Sequence, residues 1–319
     1  MTQLTQTQRA IASTLVEWLA AIRAVEAVVL GGSHARGRAR PGSDVDLGLL
    51  YSEEAPFSIQ ELRELALAVD NTAAPVVTGF YEWGPWVNGG AWLTIRGQRV
   101  ALLYRNLDHV ERVIAGVEAG QYEVDYAQQP PFGFFSGTYL GEIAVGVPLH
   151  DPSSRLAALK RRVAVYPEAL REALVRDYLW AAEFGLGGFA KKLAARSDVY
   201  GTAACLTRTV NQLVMVLFAL NRRHPLNDKT ALEKLAEMER APRDFGARVQ
   251  ATLGHLGRSP AQLLEAVEKI MRLLGETVAL ADEVGVPRAQ RSGPTTPSAE
   301  RTSSPPRTSS RTRSRPGRR

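Results

Sequence analysis

The sequence predicts an α+β protein: a sheet-and-helix domain over residues 1–125, an all-helical domain over 126–286, and a disordered basic tail over 287–319. Three observations carry this reading. Before residue 125, short apolar runs that read as strands alternate with amphipathic segments. From Ser153 to Val284 nearly every segment has helical spacing. After residue 286 the large apolar residues vanish.

In chain order, "TQRAIASTLVEWLAAIRAV" places Ile11, Leu15, Leu19 and Ile22 at helical spacing, with Thr5 or Thr7 as cap. "AVVL" (27–30) is a short buried strand that runs into Gly31, and "DVDLGLLY" (44–51) is a second strand. "SIQELRELALAVD" (58–70) is a helix, and "PVVTGFYEW" (75–83) is expected to be extended. "AWLTI" and "RVALLYR" flank Arg96-Gly97-Gln98 as a hairpin. "NLDHVERVIAGVEAG" returns to helix and stops at Gly120. Further on, "TAACLTRTVNQLVMVLFALNRR" carries Leu206, Val210, Leu213, Val214 and Leu217 on one face, and a long amphipathic helix begins at "SPAQLL". No repeat period is present, which argues against a solenoid.

Composition limits the function classes. The net charge of +6 comes from the tail, which holds nine arginines and one acid, Glu300, and leaves 30 basic against 32 acidic residues in positions 1–286. A near-neutral body does not suit a nucleic-acid track, so at most a weak polyanion contact is expected, through the tail. Cys205 is the only cysteine, which excludes an intrachain disulfide and a cysteine zinc cluster and fits a reducing, cytoplasmic setting. No signal peptide or apolar run of about 18 residues is expected, so no membrane partner is. The five histidines show no ligand spacing, and no G-x-x-x-x-G-K-[ST] is present.

The stretch "GGSHARGRARPGSDVDLGLL" (31–50) carries the chemistry. Asp44 and Asp46 are two residues apart at a strand start, so both carboxylates face one way. Two such charges repel, and a hard divalent cation with oxygen ligands relieves the conflict. A pair of this kind alone is often two solvated acids. The context is more specific: Gly31 and Gly32 directly follow a buried strand and permit close backbone approach, and Ser33 opens what reads as a short helix, an arrangement suited to phosphate.

"GGSHARG" with "SDVDL" resembles the signature of the nucleotidyltransferase superfamily typified by DNA polymerase beta, whose small-substrate members include the aminoglycoside nucleotidyltransferases. The order of a sheet domain before a helical one fits. "GEIAVGVPLHDP" (141–152) and "LFALNRRHPLNDK" (217–229) look, more loosely, like bacterial members with such a helical domain. The resemblance implies an NTP such as ATP held by Gly32, Ser33, Arg36, Ser43 and Lys229, two Mg²⁺ ions on Asp44 and Asp46, and attack of a small-molecule hydroxyl on the α-phosphorus. AMP is then the group transferred. Lys229 is placed just inside a helix capped by Asn227 or Asp228, and an exposed helix lysine is its ordinary reading.

The family pattern also carries a third acid on a neighbouring strand. The aligned position in "RVALLYR" is Ala101, which has no oxygen to offer. Three explanations stand: the acid has been lost and activity is impaired; Glu82 or Glu142 serves instead; or the acid is Asp108, whose place reads better as a helix N-cap. The alternatives in function are a nucleotide-binding or antitoxin-like module without turnover, and transfer to a protein or RNA end. "WGPWVNGGAW" with Trp83, Trp86 and Trp92 reads either as an acceptor-binding wall or as a covering loop.

Overall fold

The computed structural model describes residues 4–72, 74–226 and 229–286. The basic tail and the cap residues Asn227 and Asp228 lie outside the described residues. Helix α1 (Gln6–Ala21) starts at Thr5, which closes a capping box with Gln8, and buries Ile11, Leu15 and Leu19. It leads into strand β1 (Ala27–Leu30), the single turn α2 (Gly32–Ala35) and strand β2 (Val45–Tyr51). Helix α3 (Ile59–Val69), capped by Ser58, is followed by the short strand β3 (Val76–Val77).

The expected extended segment 75–83 is paired only over those two residues. Phe80 leaves the strand path to join Tyr51, Phe57 and Tyr104 in an aromatic cluster with centroids 4.6–5.7 Å apart. The chain then turns, with positive φ at Tyr81, Gly84 and Asn88, around the one-turn helix α4 (Gly84–Val87). Burial of Phe80 outweighs continued strand pairing.

Strands β4 (Gly90–Ile95) and β5 (Gln98–Asn106) form the expected hairpin, with positive φ at both Arg96 and Gly97. Helix α5 (Leu107–Glu118) begins at Asn106, whose side chain accepts from the Asp108 and His109 N–H groups. Asn106, not Asp108, is therefore the N-cap. Asp108 sits in the first turn and is bound by its neighbours.

Two-residue strands β6 (Val124–Asp125) and β7 (Phe134–Phe135) pair with each other. Helix α6 (Thr138–Val145) then hands the chain to strand β8 (Val147–His150), which pairs with the free edge of β1. Lys160 fixes this re-entry: its ammonium donates to the carbonyls of Ile143, Ala144 and Gly146 at 2.6–3.0 Å, satisfying the end of α6.

The rest is helical: α7 (Arg155–Val163), α8 (Glu168–Phe184), a π-helical turn at Gly185–Ala190, α9 (Lys191–Ala195), α10 (Val199–Leu220), α11 (Ala231–Leu235), α12 (Phe245–Gly254) and α13 (Pro260–Glu283). By length and composition α10 could cross a membrane, yet it is mostly buried and packs against α8 and α13 as a core helix.

The sheet order is β3-β4-β5-β2-β1-β8, with β2 and β5 parallel and the other neighbours antiparallel. Alternation along β2 and β5 divides the residues between two faces. Val45, Leu47 and Leu49 join Val100, Leu102 and Tyr104 in a core with α1 and α3. The opposite face carries Asp46, Arg99, Ala101, Leu103 and Arg105, and looks into a cavity closed by residues of α5, α6 and the helical region.

Candidate active site

The turn after β1 sets the first part of the site. Gly31 N–H donates to the Asp46 carbonyl at 2.8 Å, tying the glycine pair to β2. Gly32 has φ +58°, and a Cβ there would stand 1.7 Å from Asp46 Oδ2. The Asp46 carboxylate thus lies against the bare Cα of Gly32, and no other residue type fits both the backbone and the space. Arg36 Nε donates back to the Gly32 carbonyl at 3.0 Å and holds the turn closed.

The turn before β2 sets the second part. The Arg40 N–H donates to Ser43 Oγ at 2.9 Å, and the Gln98 side chain donates to the Ser43 carbonyl at 3.1 Å. Asp44 then precedes the first strand residue, and Asp46 follows two positions on.

Gly32, Ser33, Arg36, Ser43, Asp44, Asp46 and Lys229 all line one cavity of about 800 Å³. They come from three separated stretches of chain, 32–36, 43–46 and Lys229. Lys229 precedes α11, rather than sitting inside a helix, because the helix begins only at Ala231. Arg38 is drawn away from the cavity into an ion pair with Glu237.

Burial, and then the charge of Asp44, push the Asp46 carboxyl above its usual range, while His34, Arg36 and Lys229 oppose the shift. Asp44 Oδ1 is buried and accepts no hydrogen bond. Arg99 Nε lies 2.8 Å from it but is not aligned to donate. A pair of carboxylates on one cavity, one with a buried oxygen that accepts no hydrogen bond and one raised by burial and then by its neighbour's charge, is a donor set that suits one hard divalent cation. Among the described residues no group of three or more His, Cys, Asp or Glu side chains is placed to hold a metal.

Ala101 stands in parallel register with Asp46 on one side and in antiparallel register with Trp92 on the other. It is 7% exposed and presents a methyl group where the resemblance calls for a carboxylate. The three candidate substitutes fall elsewhere. Glu82 is exposed, does not line the cavity and packs its carboxylate over Gly79. Asp108 accepts from Ser52 Oγ at 2.9 Å and the Glu53 N–H at 2.6 Å, pairs with Arg155, and does not line the cavity. Against the burial that opposes it, Arg155 and these hydrogen bonds hold the Asp108 carboxyl below its usual range. Glu142 does line the cavity, but both its oxygens accept from Arg105 at 2.8 Å.

The tryptophans divide between the two readings of their loop. Trp83 and Trp92 wall the cavity with ring centroids 4.0 Å apart. Trp86 is buried, stacked 5.5 Å from Phe134, with Tyr139 donating to its carbonyl at 2.6 Å. The loop is therefore partly wall and partly cover.

Arg99 and Arg105 were not singled out from the sequence. Counting by twos from Ala101 along β5 puts Arg99, Leu103 and Arg105 on the cavity face, so the signal was present once the strand was in place.

Comparison with known proteins adds the following. The nucleotidyltransferase domain model matches residues 12–127, and a domain of unknown function (DUF4037) matches residues 135–229. The solved structures that resemble this chain include a nucleotidyltransferase-like protein from Exiguobacterium sibiricum 255-15, with 12% identity, a TM-score of 0.43, and coverage of 87% of this chain and 77% of that one. No curated protein matches the chain.

Proposed function

We propose, from the match of residues 12–127 to the nucleotidyltransferase domain model, that the chain transfers a nucleoside monophosphate from an NTP to a hydroxyl of a small molecule, with Mg²⁺ as the divalent cation. ATP is the donor to test first, and AMP then the group transferred. The observation that carries this is the convergence of Gly32, Ser33, Arg36, Ser43, Asp44, Asp46 and Lys229 on one cavity.

The cavity's charge supports an anionic ligand. Among the described residues, Arg36, Arg99, Arg105 and Lys229 face it with three acids, Asp44, Asp46 and Glu142. In our reading Arg36 and Lys229 draw in the triphosphate, and the Gly32-Ser33 turn lets it approach the backbone. Asp44 and Asp46 hold the cation, which when bound supplies positive charge at the reacting phosphoryl group. Trp83 and Trp92 give the acceptor an apolar wall of two rings tilted by 48°.

A second reading has one observation in its favour. With Ala101 beside Asp46, no described carboxylate stands ready to take the proton of an acceptor hydroxyl. A nucleotide-binding module with little turnover follows if no other group serves.

The test is pyrophosphate release from each NTP with Mg²⁺, with and without a panel of hydroxylated small molecules, beside direct NTP binding. Release that disappears when Asp44 and Asp46 are both changed to Asn supports transfer. Binding without release under every condition supports the second reading. Absence of binding rejects both.

A further inference from the structure

Resting on the nucleotide-binding reading of the cavity, we infer that the acid pair takes a single divalent cation with the nucleotide, and that the Arg99 guanidinium supplies the second positive charge. A two-cation site needs enough carboxylate oxygens to hold two ions a few ångströms apart. This cavity offers Asp44 and Asp46 for that purpose. Glu142 is held by Arg105, and position 101 on the strand beside Asp46 carries a methyl group.

Arg99 explains how a carboxylate-poor site can still suit a triphosphate. It lies two residues before Ala101 on β5, on the same face, and its Nε is 2.8 Å from Asp44 Oδ1. A guanidinium has five N–H donors in a planar fork. Its Nε stands in ion-pair contact with Asp44, and the side chain also lines the cavity, where its N–H donors can meet phosphate oxygens. A second dication at Asp44 would have to displace this cation and would find no third carboxylate to compensate. The residues present therefore fit one cation and disagree with two.

The experiment counts Mn²⁺ ions bound per molecule of a non-hydrolysable ATP analogue, by electron paramagnetic resonance, and measures analogue affinity by calorimetry. The proteins are the full chain, Arg99→Gln, Arg99→Lys, and the double variant Arg99→Gln with Ala101→Asp, each checked for folding by circular dichroism. The full chain is expected to bind one Mn²⁺ per analogue, and the double variant two. Arg99→Gln is expected to bind the analogue about tenfold more weakly, the loss of a charge-assisted contact, with Arg99→Lys recovering part of it. Two Mn²⁺ on the full chain, one on the double variant, or unchanged affinity in Arg99→Gln overturns the inference while leaving the nucleotide site standing. No analogue binding by the full chain removes the nucleotide reading itself, and this inference with it.

Discussion

Ala101 of β5 lies directly beside Asp46 of β2 in parallel register, on the sheet face that walls the cavity. A carboxylate at that position would share the cavity with Asp44 and Asp46 and could take the acceptor's proton. We predict that Ala101→Asp raises pyrophosphate release over the parent by about 10²- to 10⁴-fold, the usual range for a placed general base. Adding Asp46→Asn to that variant should abolish the gain. A variant that folds, binds NTP and stays at the parent's rate would mean that position 101 is not the missing base.

Gly32 offers a sharper geometric test. Its φ of +58° already disfavours any residue with a Cβ, and the Cβ of an alanine would overlap Asp46 Oδ2 at 1.7 Å. In Gly32→Ala either the turn or the carboxylate must move. The expected result is a loss of more than tenfold in Mg²⁺-dependent NTP affinity, with backbone strain costing about 1–3 kcal/mol of stability. Calorimetry reads the first and urea unfolding the second. Unchanged affinity would place the bound nucleotide away from the β1–α2 turn.

Asp46 links the site to stability. Burial, then the Asp44 charge, raise its carboxyl above the ordinary aspartate value of 3.8. A raised folded pKa favours the fold below pH 3.8, where both states are protonated, and that advantage is lost as pH rises through the folded value. At neutral pH the ionised carboxylate is therefore a net cost to the apo protein. Asp46→Asn should raise the Tm at pH 7–8 without divalent cation and remove the part of the stability loss that accompanies rising pH through the folded value. Mg²⁺ should raise the Tm of the parent and not of the variant. A lower Tm for the variant without cation would show that Asp46 is stabilised by neighbours rather than strained by them.

The sequence made the strands and the acid pair legible because period-two alternation and a glycine-aspartate spacing are local signals. Asp44 and Asp46 share the cavity as their spacing implied, and Thr5, one of the two caps expected for the first helix, caps it. What stayed hidden depends on contacts between distant segments. Phe80 leaves the extended path because Tyr51, Phe57 and Tyr104 are waiting for it. Strand β8 joins the sheet from beyond the run of the first five strands, since β1 has a free edge and Lys160 turns the chain there. Glu142 stood as a candidate base because its partner, Arg105, lies 37 residues away in sequence.

That partnership decides what Glu142 does. The Arg105 side chain is only 12% exposed, and its Nη1 also donates to the carbonyls of Val87 and Tyr104 at 2.9 and 2.8 Å. Burial works against the guanidinium charge, and Glu142 more than restores it, so Arg105 stays charged. Removing the carboxylate strands a cation in the wall of the cavity. We predict that Glu142→Ala lowers unfolding stability by about 1–2 kcal/mol, less than the loss of a fully buried partner would cost because the Glu142 side chain is 34% exposed, measured by urea denaturation. Replacing both partners, Arg105→Met with Glu142→Leu, should recover most of that loss, because no unpaired charge remains. Had Glu142 been the base, its loss would instead appear in the rate, with stability little changed. Pyrophosphate release per folded molecule in the double replacement separates the two roles: a rate equal to the parent's leaves Glu142 as the anchor of Arg105, and a rate reduced a hundredfold makes it the base.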